Sequence, residues 1–177
     1  MPLFAVLAVG ADRPGIVAAV TGALADAGAN LDDTSMTILH GHFAMAMVVA
    51  GPEGLDVAGA LAPAAGRLDL TVDVRPIAEG TPPSPPGARW SLAVYGADRP
   101  GLVAAVTAVV AEAGGNVVDL TTRVVGGPER PVYAMQAEIA LPSPAGADVL
   151  ADRLRQVAAD IGVDCTLTLT PADADLL

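Results

Sequence analysis

The chain alternates between short apolar runs that fit strands and stretches with helical periodicity. Leu3 to Val9 form an unbroken apolar run of strand length, which predicts a strand that is central in its sheet or covered on both faces. From Ile16 onward, apolar residues recur on one helical stripe, and the pattern stops at Ala27-Gly28. This second stretch predicts a helix of about three turns.

The remainder of the first half predicts four more elements. Residues 30–39 and 43–49 favour two strands joined by a tight turn at Gly41. The Ala-rich stretch 55–65 predicts a helix, and we expect its C-terminal half to be irregular because a glycine and a proline lie inside it. Apolar and polar residues then alternate strictly over 68–75, as in a half-buried strand.

The second half repeats the same order of elements after a proline-rich segment. Residues 78–88 contain four prolines and two glycines, which predicts a semi-rigid linker. We therefore expect domains at 1–77 and 89–171, with a tail at 172–177. The elements predicted for the second domain are a strand at 90–95, a helix at 102–113, strands at 116–125 and 132–140, a helix at 146–161 and a strand at 163–170.

The order βαββαβ, present twice, predicts two ferredoxin-like domains of the α+β class. Each would hold an antiparallel sheet with both helices on one face. The open strand edges of the two halves could pair, or the sheet faces could stack, and the sequence leaves both arrangements open.

One hexapeptide occurs in both halves and marks them as copies of a single module. Gly10-Ala11-Asp12-Arg13-Pro14-Gly15 returns unchanged 86 residues later as Gly96-Ala97-Asp98-Arg99-Pro100-Gly101. Residues 10–21 match residues 96–107 at 11 of 12 positions. Self-similarity at this level indicates an internal duplication.

The residue types of the hexapeptide predict a turn from a strand into a helix. Gly10 would allow a tight exit from the strand, Asp12 is a preferred N-cap, and Pro14 fits the first helical turn. The amides of Gly15, Ile16 and Val17 would then lack intrahelical acceptors, so a small carboxylate could dock there. The alternative is that Asp12 caps its own helix and the turn is purely structural.

These residues resemble the signature of ACT domains. The stretch Asp12-Arg13-Pro14-Gly15-Ile16-Val17 is followed by Asn30, and Asp98-Arg99-Pro100-Gly101-Leu102-Val103 is followed by Asn116. The resemblance covers roughly residues 3–76 and 90–170. It implies small βαββαβ modules that bind amino acids or related effectors and report their level to an attached enzyme or partner. A tandem pair with little else resembles the glycine cleavage system transcriptional repressor group.

The resemblance also implies a ligand site between two ACT domains, held by the strand-to-helix turn and by the Asn that opens the second strand. The turn amides would take the ligand carboxylate, while Asp12 and the Asn30 side-chain oxygen would accept from its ammonium group. Many family members have Asn in place of Asp12, so the carboxylate favours a ligand that bears a cation. The implied site residues are Asp12, Arg13, Gly15, Ile16, Val17 and Asn30, and Asp98, Arg99, Gly101, Leu102, Val103 and Asn116.

Composition excludes several classes of function. The chain has 9 basic and 20 acidic residues, a net charge of -11, so its field repels nucleic acids and anionic membranes. No basic leader and no apolar run of about 18 residues occurs, which favours a cytoplasmic protein. The single cysteine, Cys165, permits no intrachain disulfide and is expected to be a buried small hydrophobe.

Other candidate chemistry is weak. His40 and His42 lie two apart at a hairpin, and we favour a polar turn over a metal site because no cysteine or neighbouring acid supports them. Asp32-Asp33 fits a solvated strand edge. The sequence contains no nucleophile elbow, P-loop or dinucleotide fingerprint.

We therefore expect a non-catalytic regulatory protein without a cofactor. It would bind a small amino acid or related effector and signal to another protein, a regulator or an enzyme. A homodimer is one way to cover its open strand edges. The alternative is a ligand-independent interaction or dimerisation module.

Overall fold

A computed structural model describes residues 1–78, 88–126, 131–143 and 146–170. The chain divides into two compact units, Met1–Thr81 and Pro82–Leu177, called here the first and second module. Most of the expected linker at 78–88 and the whole of the expected tail at 172–177 lie outside the described residues, so both stay predictions.

The first module is an antiparallel four-stranded sheet with two helices. Its strands follow the spatial order β2-β3-β1-β4, so β1 is central, as its apolar run predicts. The elements are β1 (Leu3–Ala11), α1 (Ile16–Asp26), β2 (Asn30–Leu39), β3 (His42–Ala50), α2 (Val57–Leu68) and β4 (Leu70–Ile77).

The second module repeats this topology, with the strand order β6-β7-β5-β8. The predicted α+β class and the two βαββαβ units are confirmed. The elements are β5 (Ala88–Gly96), α3 (Leu102–Glu112), β6 (Asn116–Val125), β7 (Val132–Leu141), α4 (Gly146–Ile161) and β8 (Val163–Leu169).

Each module has its own core between the sheet and its helices. In the first, alternate residues of β1 and β3 are buried against the apolar stripe of α1. The second core is built in the same way and includes Leu150 and Leu154 of α4. Alternate strand residues therefore face the helices, while the residues between them form a helix-free face on each sheet.

The second helix is more regular than its sequence suggests. α2 continues through Pro63 to Leu68, whereas we expected irregularity after its midpoint and a strand from 68. Pro63 has no N–H to donate to the Gly59 carbonyl. Both residues are exposed, so water can hydrate that carbonyl instead. The strand begins only at Leu70 because Asp69 turns the chain in the left-handed conformation, with φ 55°.

The two hairpins contain one predicted and one unpredicted feature. His40 and Gly41 have φ values of 49° and 78°, and Leu39 pairs with His42, which confirms the predicted tight turn of two residues. A β-bulge inserts one extra residue near the start of β2, between Leu31 and Asp33. β6 has the same irregularity at the equivalent place, and periodicity alone did not reveal either.

Within the described ranges, no helix is both long enough and apolar enough to span a bilayer.

Candidate ligand-binding turns

The repeated turn owes its geometry to a left-handed glycine rather than to a capping aspartate. Gly15 is the N-cap of α1, with φ 90° and ψ 0°, and Gly101 is the N-cap of α3, with φ 87°. The expectation that Asp12 caps the helix and Pro14 lies in its first turn is wrong. The chain needs one left-handed residue before the helix, which glycine adopts at little cost, and the helix therefore starts after it.

The first turn of each helix presents open backbone amides. In α1 the amide of Ala19 donates to the Gly15 carbonyl at 2.9 Å, so the amides of Ile16, Val17 and Ala18 precede the first intrahelical bond. No side chain caps either helix within the described part of the chain. These amides lie at the positive end of the helix dipole, where an anion is stabilised.

The turn of the second module has one amide fewer to offer. Ala105 donates to Gly101 at 2.9 Å, as in the first module, but the Leu102 amide also contacts the Arg99 carbonyl at 3.3 Å. The amides of Val103 and Ala104 are the ones that precede the intrahelical bonds. The two turns therefore have the same backbone conformation, but the second has fewer amides free to bind a ligand.

Space beside the turn is open. A Cβ built on Gly15 or Gly101 meets no atom within 4 Å. Ile16 is 2% exposed, so it offers its amide while its side chain serves the core, whereas Val17 is 41% exposed. Asp12 and Arg13 are exposed as well.

Gly10 has a different role from the one we expected. It still belongs to β1, and a Cβ on it would lie 2.6 Å from Leu70 Cδ2 and 2.9 Å from the Asp69 carbonyl oxygen. At Gly96 a Cβ would lie 2.4 Å from Val163 Cγ1. Both glycines allow the last strand to approach closely rather than forming the turn.

Within one module the turn and the asparagine lie at opposite ends of the sheet. Ala11 pairs with His42 at one end of β3, and Asn30 pairs with Ala50 at the other. The separation is nearly the length of β3, roughly 27 Å at 3.4 Å per residue. A single module therefore does not bring Asp12 and Asn30 to the same ligand, and Asn116 in β6 stands at the same far end of its sheet.

Asn30 is held in a defined orientation. Its side-chain Nδ2 donates to Asp32 Oδ1 at 3.1 Å, which leaves Oδ1 of Asn30 as an acceptor. In the second module Val118 stands where the first has Asp32, so Asn116 has no equivalent carboxylate. Asp33 is exposed and accepts from the Thr34 amide at 2.8 Å, in keeping with the predicted solvated edge.

A cavity of about 320 Å³ lies beside the second turn. Arg99, Gly101 and Leu102 line it together with Asp160 near the end of α4. Sequence reasoning missed Asp160, since no motif includes it. Its position depends on the long-range pairing of Gly96 with Val163, which no local pattern reveals.

Comparison with known proteins supplies the family. One ACT-domain model matches residues 3–75 and a second matches residues 90–141. The chain belongs to the ACT-domain family. It contains two ACT domains in tandem, and the first and second modules are called ACT domain 1 and ACT domain 2 from here on.

Several individual proteins are similar to most of the chain. The glycine cleavage system transcriptional repressor of Escherichia coli (strain K12) is 28% identical over 145 residues, which are 81% of this chain and 76% of that protein. An unknown protein from Galdieria sulphuraria, with a solved structure, is 31% identical, covers 96% of this chain and 99% of its own, and gives a TM-score of 0.81. A solved structure named for the glycine cleavage system transcriptional repressor shares the fold at 17% identity, with a TM-score of 0.72 and coverage of 96% and 97%.

The histidine hairpin lies beside the first ACT turn, since Ala11 pairs with His42 and the Asp12 amide donates to the Gly41 carbonyl at 2.8 Å. His42 Nδ1 is 3.2 Å from the His40 carbonyl oxygen, and both histidines are exposed. Within the described ranges, no three His, Cys, Asp or Glu side chains gather closely enough to hold a metal ion. Cys165, expected to be buried, is half-buried and packs against the core of ACT domain 2, and this partial burial raises the pKa of its thiol.

Proposed function

We propose that this tandem ACT-domain protein is a non-catalytic regulator that binds an amino acid or a similar small zwitterion at its strand-to-helix turns. The observation that carries the proposal is the pair of uncapped helix starts at Gly15 and Gly101, each with open amides and free space beside it. A carboxylate placed there replaces the missing intrahelical acceptors.

The charges around the turns suit a zwitterion. In ACT domain 1 the amides of Val17 and Ala18 would take the carboxylate, and Asp12 would accept from the ammonium group. In ACT domain 2 the cavity offers the guanidinium of Arg99 and the carboxylate of Asp160, so each ligand charge has an opposite charge nearby. Asp98 precedes Arg99 in the chain and is exposed, and it would add a second acceptor.

The opposite positions of turn and asparagine support a ligand that bridges two ACT domains. A molecule that contacts the turn of one domain can reach the Asn30 or Asn116 oxygen only if that asparagine comes from another domain. Such a ligand would favour one arrangement of the domains over another, to the extent that its affinity for the two arrangements differs. That difference is the signal that a protein partner would read.

The relatives support a role in amino-acid metabolism. A protein similar to this one over 81% of the chain is a glycine cleavage system transcriptional repressor, so we propose regulation of glycine, one-carbon or other amino-acid metabolism. The net charge of -11 opposes direct contact with DNA. We therefore propose that the signal passes to a protein, either a regulator or an enzyme.

Calorimetric titration of the full chain with the twenty amino acids tests the proposal. We expect heat and a rise in melting temperature with a small amino acid such as glycine or serine. The methyl ester of the same amino acid is the matched control, and it should not bind because it lacks the carboxylate. If no amino acid gives heat or a thermal shift, the proposal is overturned and a ligand-independent association module is the better account.

A further inference from the structure

The helix-free faces of the two sheets differ in character. In ACT domain 1, the cross-strand pairs at the centre of this face are Ala5 with Val48, Leu7 with Ala46, and Val9 with Ala44. Leu7 and Val9 are 46% and 38% exposed. In ACT domain 2 the equivalent pairs are Ser91 with Glu138, Ala93 with Gln136, and Tyr95 with Ala134.

Each central pair of the first face joins one large side chain to one alanine. The large residue belongs to β3 in the pair Ala5–Val48 and to β1 in the pairs Leu7–Ala46 and Val9–Ala44. If two such faces stack about a two-fold axis that runs between β1 and β3, every large side chain of one face lies over an alanine of the other. Large groups over small ones are the basis of close packing between sheets.

Charges at the sheet edges follow the same symmetry. Asp33 on β2 pairs with Val48, Val48 pairs with Ala5, and Ala5 pairs with Arg75 on β4. One row across the sheet thus begins with a carboxylate and ends with a guanidinium, with apolar side chains between. Arg75 also contacts Asp73 in its own strand at 2.8 Å, yet it is 77% exposed.

We propose that the helix-free face of ACT domain 1 packs on the same face of a second copy of this chain. The two copies are related by a two-fold axis parallel to the strands, so that β1 lies over β3 and β2 over β4. Leu7 then faces Ala46 of the second copy, and Val48 faces its Ala5. Arg75 faces Asp33 of the second copy, and the symmetry makes this ion pair twice.

The charges select this axis over the alternative. A two-fold axis perpendicular to the strands would lay β2 over β2 and β4 over β4. Asp33 would then lie over the β2 edge of the other copy and Arg75 over its β4 edge, so no ion pair would form between the copies. Sheets stacked face to face lie about 10 Å apart, a gap that an arginine and an aspartate span together.

The size of the face suits a weak dimer. Four strands about 4.8 Å apart and about nine residues long give roughly 550 Å² per copy, or about 1,100 Å² in all, which is close to the lower limit for specific association. A concavity of about 330 Å³ at this face, with a floor that includes Ala5 and Ala46, offers room for the second copy's Leu7 and Val48.

ACT domain 2 does not offer a similar surface. Glu138 forms an ion pair with Arg89 at 2.6 Å on its helix-free face, and Thr166 and Thr168 stand where ACT domain 1 has Asp73 and Arg75. Water solvates such a face at little cost. Because only ACT domain 1 associates in this way, the assembly stops at a dimer.

Sedimentation of the full chain over a range of concentrations, with two charge reversals, tests the proposal. We expect wild-type dimers. Asp33→Arg places two arginines against each other, and Arg75→Asp places two aspartates against each other, so each variant alone should dimerise at least about tenfold more weakly. An equimolar mixture of the two variants should recover the dimer. In the mixed pair one copy carries arginine at both positions and the other carries aspartate at both, so every arginine faces an aspartate.

Matched controls lie at the same positions of ACT domain 2. Asp119→Arg and Thr168→Asp should leave dimerisation unchanged, and circular dichroism should show that all four variants fold. The proposal is overturned if the wild type stays monomeric at the highest concentrations reached, or if the single reversals dimerise like the wild type. A mixture that stays monomeric would overturn the two-fold arrangement. Because no ligand is used, the outcome is independent of amino-acid binding.

Discussion

The two ACT domains share a backbone device and differ in the surfaces around it. Both place a left-handed glycine between the first strand and the first helix, and both need a glycine where the last strand approaches the first. Around this frame, ACT domain 1 has an apolar helix-free face, whereas ACT domain 2 has a polar one. Arg67 of ACT domain 1 also stands where ACT domain 2 has Asp160. Duplication kept what the chain conformation requires and let the side chains diverge, so the copies can serve different tasks.

The largest expected effect concerns the two close approaches. Gly96→Ala should lower the free energy of unfolding by about 1–3 kcal/mol, since the new Cβ would lie 2.4 to 3.1 Å from three atoms of the stiff, β-branched Val163. Gly10→Ala should cost less, because the nearest atom is the mobile end of Leu70. Urea unfolding measures both.

A glycine in open space is the control for these two variants. Gly22 lies inside α1 with no atom within 4 Å of a built Cβ. Gly22→Ala should raise the free energy of unfolding by up to about 1 kcal/mol. If Gly10→Ala and Gly96→Ala behaved like Gly22→Ala, close approach would not explain the repeated glycines.

The next effect comes from the turn itself. Gly15→Ala and Gly101→Ala should each cost about 1–2 kcal/mol, because both positions have φ near 90° although their surroundings are open. Equal losses measured by urea unfolding would show that the two turns are equivalent in backbone. A variant without loss would mean that its turn relaxes into an ordinary conformation.

The two domains also differ at the end of their second helix, and substitutions there should have a smaller effect on stability. The residue before the last strand is Asp69 in ACT domain 1 and Gly162 in ACT domain 2, with φ of 55° and 70°. Asp69→Gly should stabilise the protein by roughly 0.5 kcal/mol, and Gly162→Asp should destabilise it by a similar amount. Thermal unfolding of the reciprocal pair checks this, and changes of the same sign would contradict it.

The smallest effect depends on pH. Burial raises the pKa of the Cys165 thiol, so the unfolded chain releases this proton first as pH rises. The half-buried thiol contributes its full stability below the ordinary thiol pKa of 9.0, and this contribution is lost as pH rises from there through the raised pKa of the folded state. Val72 is the equivalent residue of ACT domain 1, and Cys165→Val should remove this part of the decline in unfolding free energy above that pH. An unchanged decline would assign it to other groups.

The order of elements was predictable because its signals are local. Apolar periodicity and the residues at Gly28 and Gly41 specify the helices, the strands and the first hairpin without knowledge of distant parts of the chain. The start of α1 was misplaced because a left-handed Gly15 cannot be distinguished by sequence from a glycine that merely follows Pro14. α2 was cut short because its Pro63 is exposed, a property of the folded helix.

The site was predictable only in part, since half of it depends on contacts between distant residues. The repeated hexapeptide identified the open amides. The separation of Asp12 from Asn30 follows from strand register, and Asp160 reaches the second turn through the docking of α4. The charged row from Asp33 to Arg75 likewise exists only once all four strands are aligned.

Titration of an amide-deficient variant tests the central claim most directly. Proline is tolerated in the first turn of a helix and carries no N–H, so Val17→Pro and Val103→Pro each remove one turn amide, and Val17→Ala and Val103→Ala are their controls. We predict that calorimetry with the amino acid that binds the wild type shows binding to the alanine variants and loss of binding at each turn altered by proline. Undiminished binding to the folded double proline variant would contradict recognition by the turn amides.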